Sequence, residues 1–431
     1  MKIRIYDELH PEDNAMLQAL YARSAESVDV HMEKVKQVGS GKFMSTYYVG
    51  YGHKSIADCG STTIFIEGVS MLAAKAIQDW PLYSGQETST RAIDMSKQPM
   101  ISPEGLQAEL DILYPLRQFY LNSQDEVANH VRTSHAKMEA ESDVNFERAV
   151  KARTFDILRG FLPAACATQL SWHTNLRQAG DHIDLLKHHP LEEVRDIADQ
   201  ILMRLEDQYP STFPKNQKQY PEQKRYRRGL RRVTYFDPPR CPYDAVLTAE
   251  YDKELLDYQY LLMERPLKTN LPEFLTGLGR FNFQFQLDFG SFRDLQRHRH
   301  GICRMPLLST RWHFHSWYIK QLPDALKQRA AELLESTDEK ISKLHVGDIK
   351  AQYYVPMGYL VPCHVTYGLP AAVYIADLRT QKTVHPTMRA AAMQMANCLR
   401  EELPSLALHD DRDQDDWSTR RGKQLVLEQK S

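Results

Sequence analysis

The feature that most constrains this chain is that its two halves carry the same landmarks in the same order. Ser89-Thr90-Arg91 recurs as Ser309-Thr310-Arg311 at an offset of 220, and Pro163 recurs as Pro356 at 193. Ile183, Leu186 and Lys187 match Ile375, Leu378 and Arg379 at 192, and His189-Pro190 matches His385-Pro386 at 196. One such match is weak, whereas several in a single order point to a duplicated unit. Each copy opens on a strand followed by a helix. In the first, Ile64 and Ile66 alternate with Phe65 into Glu67-Gly68, and Val69, Leu72, Ala73, Ala76, Ile77 and Trp80 then fall at helical spacing. In the second, Phe281, Phe283, Phe285, Leu287 and Phe289 alternate with Asn282, Gln284, Gln286 and Asp288, a half-buried strand, before Gly290-Ser291 opens a short helix. The expected fold is α/β or α+β: two tandem repeats, each a central sheet flanked by helices.

The repeats are expected at residues 1–205 and 246–408, which suits a 431-residue chain long enough for two or three cores. Between them, in 206–245, Pro210, Pro214, Pro221, Pro238, Pro239 and Pro242 interrupt any periodicity, which reads as a linker. Residues 409–431 read as a charged, flexible tail. The linker also interleaves Lys224, Arg225, Arg227, Arg228, Arg231 and Arg232 with Tyr220, Tyr226 and Tyr235, a mixture that single-stranded nucleic acid can use. With 54 basic against 56 acidic residues, net −2, the chain has no wider basic face, so a solvated connector is favoured over nucleic-acid binding. The start lacks the apolar core of a signal peptide and no apolar run spans a bilayer, so a cytoplasmic protein without a membrane partner is expected. Six dispersed cysteines without a C-x-x-C pattern read as free thiols; His313-Phe314-His315 and His188-His189 could ligate a metal, but no Cys, Asp or Glu stands at ligand spacing beside them, so no metal is expected.

The chemistry concentrates where the second copy's helix runs out, at Arg297-His298-Arg299. Consecutive cationic groups need anionic partners; taken alone the triplet is better read as a solvated basic turn. Arg forks suit phosphate, or the pyrimidine edge of a reduced flavin, whose anionic form positive charge stabilises. The Ser309-Thr310-Arg311 loop that follows strengthens the first alternative, because a hydroxyl and a guanidinium two residues apart can both donate to one phosphate.

With these residues in place the chain resembles the flavin-dependent (alternative) thymidylate synthases, ThyX. Their signature is R-H-R, seven residues, then S-x-R; here nine residues, His300 to Leu308, separate Arg299 from Ser309. The first copy resembles the family through Gly52-His53-Lys54-Ser55, Phe65-Ile66-Glu67-Gly68-Val69-Ser70 and Ser84-Gly85-Gln86-Glu87-Thr88-Ser89-Thr90-Arg91. Its Arg159-Gly160-Phe161-Leu162-Pro163 and Trp172-His173-Thr174-Asn175-Leu176-Arg177 resemble the R-x-x-L-P and W-x-x-N-x-R segments. Yet where R-H-R belongs the first copy reads Gln78-Asp79-Trp80-Pro81, and the second has Gln352, Gly368 and Pro370 opposite Arg159, Asn175 and Arg177.

The resemblance implies FAD and dUMP bound between subunits of a homotetramer, which a tandem chain would rebuild as a homodimer with a pseudo-tetrameric core. It implies Arg297, His298, Arg299, Asn175 and Arg177 for the flavin, with His53 and His385 in nearby loops. It further implies Glu87, Ser89, Arg91, Ser309 and Arg311 for the pyrimidine nucleotide monophosphate, and Arg379 and Arg159 as catalytic residues, Arg379 approaching the pyrimidine. The implied reaction methylates C5 of the pyrimidine with a methylene group from methylenetetrahydrofolate and a hydride from reduced FAD, NADPH reducing the flavin. A flavin- or nucleotide-binding protein without catalysis, and nucleic-acid binding through the linker, are the alternatives.

Overall fold

The computed structural model describes residues 9–22, 24, 27–46, 54–90, 93–139, 141–215, 221–413, 415 and 417. Its contacts gather into two compact sets, residues 1–69, 76–87 and 169–234 in one and 70–75, 88–168 and 235–431 in the other. The division therefore does not follow the boundaries read from the sequence. No helix among the described residues is long and apolar enough to cross a membrane.

The first set holds a three-stranded sheet of β1 (Ser61–Ser70), β2 (Ser84–Glu87) and β3 (Ala167–Asn175), in the order β1-β3-β2. β2 runs antiparallel to β3, with Ser84 opposite His173 and Glu87 opposite Leu170. Asn175 ends β3 and caps the next helix, Leu176–Leu186, its side-chain oxygen accepting from the Gln178 amide at 2.8 Å. A small cluster of Met16, Leu17, Met32 and Val35 joins the helices Pro11–Tyr21 and Val28–Val38. The first of these lies so close to Gly60 that a Cβ there would fall 2.3 Å from the Pro11 carbonyl oxygen, so only glycine fits.

The second set holds β4 (Val246–Tyr251), β5 (Gly279–Asp288), β6 (Gly301–Cys303) and β7 (Leu360–Tyr367), antiparallel in the order β4-β5-β7-β6. The alternation read in β5 is what is built: Phe281, Phe283 and Phe285 are all 0% exposed. The helices Leu369–Arg379 and Pro386–Glu402 pack on this sheet. With both sheets antiparallel, the fold is α+β and not a parallel-sheet α/β architecture.

The elements recur. β1 and β5 run straight into the helices Met71–Gln78 and Phe289–Leu295; β3 and β7 run into Leu176–Leu186 and Leu369–Arg379, each followed by a 17-residue helix, Glu192–Gln208 and Pro386–Glu402. The strand order β1-β3-β2 reappears as β5-β7-β6. Within the second set Pro163 and Pro356 face each other in an antiparallel bridge. The Ala164 amide donates to the Val355 carbonyl at 3.1 Å, and the Met357 amide to the Leu162 carbonyl at 2.9 Å. Under the offset of 193 these two bonds exchange places.

The stretches read from the sequence as a linker and a tail carry contacts of their own. Residues 206–245 are not a bare connector. Thr212 donates to Glu12 at 2.6 Å, and Pro221 starts a helix, Pro221–Gly229, where its missing N–H costs nothing. Further on, Phe236 exchanges amide-to-carbonyl bonds of 3.0 Å with Met305 and Leu307. The expected tail is anchored at its start, because a charged segment can fold where counter-charges wait. Asp410 is paired with Arg400 and Arg412, and Arg389 donates to the Asp413 carbonyl at 2.5 Å.

Candidate functional site: a cationic cavity where a short helix ends

Asp288 caps the helix Phe289–Leu295, its carboxylate accepting from the Ser291 amide at 2.8 Å. Phe289, Phe292 and Leu295 bury one side completely, and the helix stops after seven residues. Arg297, His298 and Arg299 then emerge together, because β6 begins at Gly301 and pairs Gly301 with Tyr367. That pairing needs glycine, since a Cβ on Gly301 would sit 2.3 Å from the Tyr367 ring. The turn, the end of β7 and the first turns of the helix Leu369–Arg379 enclose a cavity of about 420 Å³, with Tyr367, Tyr374 and Ile375 in its wall. Asn270, Leu271, Glu273 and His300 line it as well.

Arg379 organises this turn. Its Nε donates to His298 Nε2 at 2.8 Å and its Nη2 to the Asp294 carbonyl at 2.7 Å. A guanidinium keeps its protons, so His298 must accept at Nε2; it is neutral and carries its proton on Nδ1. Burial first, and then Arg379, push the His298 pKa down to about 3. Asp294 lies 3.7 Å from Arg297. Burial would raise its pKa, but Arg297, Arg159, Arg379 and Arg293 outweigh that and hold it below the usual carboxylate value. The three consecutive groups are thus two cations around a neutral imidazole. Lys187, at the position matching Arg379, instead pairs with Asp199 at 3.1 Å.

Arg159 and His385 do not line this cavity. Arg159 is 7% exposed and donates to Ser291 Oγ at 3.0 Å; Ser291 Oγ is 2.8 Å from Thr387 Oγ1, which is 2.8 Å from His385 Nδ1. His385, 2% exposed, donates through Nε2 to the Asp156 carbonyl at 3.1 Å, which fixes Nδ1 as the acceptor and so the direction of the whole chain. Burial works against the Arg159 charge, but Tyr318, Asp288, Asp156 and Asp294 surround it and its pKa is raised. Sequence motifs report residue types and not whether a side chain faces a cavity or a buried network, and here both residues face the network.

The remaining expected residues fall in separate places. Arg311 is held by Asp237 at 3.3 Å and the Pro239 carbonyl at 2.8 Å, and lies 4.7 Å over the Trp312 ring. Ser309 Oγ is shut off from solvent and has no hydrogen-bond partner among the described residues. In the first compact set Arg177 is pinned by Asp58 at 2.7 Å and Asp181 at 3.3 Å, Asn175 is the helix cap, and Glu87 accepts from Gln78 at 3.0 Å. Ser89 is exposed, while His53 and Arg91 lie outside the described residues. Where the first copy reads Gln78-Asp79-Trp80, Trp80 stacks on His182 at 4.8 Å. His182 donates to the Ile77 carbonyl at 2.8 Å, and burial pushes its pKa down to about 4. Sequence reasoning missed Tyr367, Tyr374 and Asp294. The last had a signal: a carboxylate three residues before Arg297 on a helix is within ion-pair reach.

Residues 7–211 match a family model described as thymidylate synthase complementing protein. Among curated relatives, a UPF0159 protein of Thermoplasma acidophilum is 23% identical across 92% of this chain and 94% of its own length. UPF0159 proteins of Chlamydia pneumoniae and Chlamydia muridarum are each 25% identical, across 79% and 80% of this chain and 75% and 76% of their own. The family match therefore falls on the half without R-H-R, and the relatives extend across both halves.

Proposed function

We propose that the chain is a tandem ThyX-like flavoenzyme that transfers one carbon to C5 of a pyrimidine nucleotide, with dUMP as the substrate of first choice. The observation that carries this is the Arg297-His298-Arg299 turn, held by Arg379 and opening onto a cavity of about 420 Å³, in a chain whose first half matches the thymidylate synthase complementing model. The recurrence of strand order and the mutual pairing at Pro163 and Pro356 support the tandem reading, with repeats at 1–205 and 246–408. FAD fits the residues present. The cavity has the size of small-molecule sites, and two Arg side chains on its wall suit an electron-rich edge.

In this reading Arg297 and Arg299 hold the flavin's negative charge, and Arg379 locks His298 as a neutral donor. Bound FAD, reduced by NADPH, would supply the hydride, and methylenetetrahydrofolate the carbon. Ser89 and Arg91, or Ser309 and Arg311, would take the nucleotide phosphate, the second pair only by displacing Asp237 from Arg311. Glu87, Asn175, Arg177 and His53 would complete the site from another copy of the first half, in a homodimer. Arg159 and His385 would act by supporting the helix that presents the turn.

The test is the absorbance spectrum of the purified chain and of two variants. A flavin spectrum is expected, and Arg297→Ala and Arg299→Ala should each lose most of it with an unchanged melting temperature, because both side chains sit on a cavity wall. Full flavin occupancy in both variants, or a colourless parent that takes up no added FAD, overturns the proposal.

A further inference from the structure

In the first compact set the helix Pro221–Gly229, with the single turn Leu230–Arg232 that continues it, buries no residue. Core packing therefore does not account for it, and charge gives it its character. Of its six cations, Lys224, Arg225, Arg227, Arg228, Arg231 and Arg232, Arg227 alone is ion-paired among the described residues, to Asp184. Lys224 and Arg225 stand four and three residues before Arg228, so like charges meet on one face, which destabilises a free helix. Arg228 also leads to a tighter gathering, at the end of the helix Leu176–Leu186. There Arg231 Nε donates to the His188 carbonyl at 3.2 Å, and Arg195 Nη1 donates to the carbonyls of His189 and Pro190 at 2.8 Å each. These bonds fix two guanidiniums against three successive carbonyls yet use one nitrogen of each. The Arg231 Nη groups make no hydrogen bond to the described residues, and Arg228 makes none at all. Partial burial first, and then Arg195 and Arg228, hold the Arg231 pKa below the ordinary guanidinium value. Helix-end carbonyls carry only part of a charge, so three guanidiniums stand here in net positive excess.

We infer that Arg195, Arg228 and Arg231 form a phosphate site, extended by Lys224, Arg225 and Arg232 to a run of phosphates such as a nucleic-acid strand or a nucleoside triphosphate carries. Guanidinium forks donate in pairs to phosphate oxygens, and two of the three are already held in place by their carbonyls. Arg228, Lys224, Arg225 and Arg232 are exposed, so a ligand reaches them without rearrangement. Lys224 and Arg232 are eight residues apart, ~12 Å along a helix, a spread wider than one phosphate, which favours a strand. The net charge of −2 is an average over the whole chain and hides this local excess. None of these residues belongs to the proposed flavin or nucleotide site, so this inference and the proposed function stand or fall separately.

The experiment titrates the full chain into fluorescent 12-nucleotide single strands of oligo-dT and oligo-U, read by anisotropy from 50 to 200 mM KCl. At about −0.7 per phosphate contact, three to six contacts predict a slope of log affinity on log salt of roughly −2 to −4. Arg228→Ala should weaken binding about fivefold and make the slope shallower by about 0.7, with an unchanged melting temperature, because Arg228 bonds nothing in the protein. The triple variant Lys224→Ala, Arg225→Ala, Arg228→Ala should lose about thirtyfold or more. Lys343→Ala removes an exposed cation from the second compact set and should change nothing. Competition with magnesium-free ATP identifies the source: displacement as effective as by unlabelled strand at equal phosphate concentration assigns the site to a nucleoside triphosphate, and weaker displacement assigns it to a strand. A parent that binds neither strand nor ATP, an affinity that ignores salt, or an unchanged affinity in the triple variant overturns the inference. So does a loss in Lys343→Ala as large as in Arg228→Ala, which would mean that the anion spreads over the whole surface.

Discussion

The ends of two equivalent helices can be set side by side: Gln78-Asp79-Trp80 after the first, Arg297-His298-Arg299 after the second. In the second, charge is kept next to open space; Arg379 neutralises His298 by bonding it, Asp294 partly balances Arg297, and the cavity remains. In the first the aromatic ring of Trp80 lies flat against His182, whose position matches Tyr374 in the second copy, and Trp172 meets the same imidazole edge-on at 5.2 Å. One junction lines a cavity and the other is taken up in ring packing. Three residues at a helix end therefore separate the two junctions while the strand order stays the same.

The sharpest way to break this comparison is to remove the stacked ring. Trp80→Ala should destabilise the chain by about 2 kcal/mol, less than a fully buried Trp because Trp80 is only partly covered, while FAD affinity stays within twofold of the parent. A large loss of FAD with little loss of stability would mean that the first junction is the ligand site.

Protonation separates the two junctions next. His182 and His298 both have folded pKa values pushed far below the ordinary 6.5, to about 4 and about 3. Between those values and about 6.5 the unfolded chain binds more protons than the folded one, so this contribution to stability is complete above about pH 6.5 and is lost as pH falls toward 4. The melting temperature should fall over that window, and less steeply in His182→Gln. FAD affinity should stay flat from pH 8 to pH 5 as far as His298 is concerned; a loss with a midpoint near 6.5 would contradict the neutral imidazole.

The smallest effect is expected at Arg311. Because Asp237 and the Pro239 carbonyl already occupy its guanidinium, Arg311→Ala should change dUMP affinity by less than about threefold. A loss of tenfold or more would show that the phosphate displaces Asp237 and would bring the second loop into the nucleotide site.

How much of this was legible follows from what kind of signal each feature leaves. The phenylalanines of β5 announce a strand because one of its faces is entirely buried. The helix Pro221–Gly229 leaves no trace in the periodicity because it buries no residue at all, so nothing distinguishes it from a solvated connector. The cationic triplet was readable as chemistry, but its neutral member was not: the state of His298 depends on Arg379, which lies 81 residues away along the chain. Arg159 shows the opposite failure, since a guanidinium in a motif reads as a ligand contact until Ser291 and three surrounding carboxylate-bearing residues are seen to enclose it.

The exchange of bonds at Pro163 and Pro356 also sets a timetable. Phe161 and Leu162 are fully buried in the finished protein, yet Pro163 and Pro356, beside which the bonds form, are 193 residues apart. At ordinary rates of translation the earlier segment leaves the ribosome roughly 10 to 40 s before its counterpart exists. For that interval an apolar stretch with these backbone groups unpaired waits in the nascent chain, so the second compact set is sealed only once Met357 has emerged.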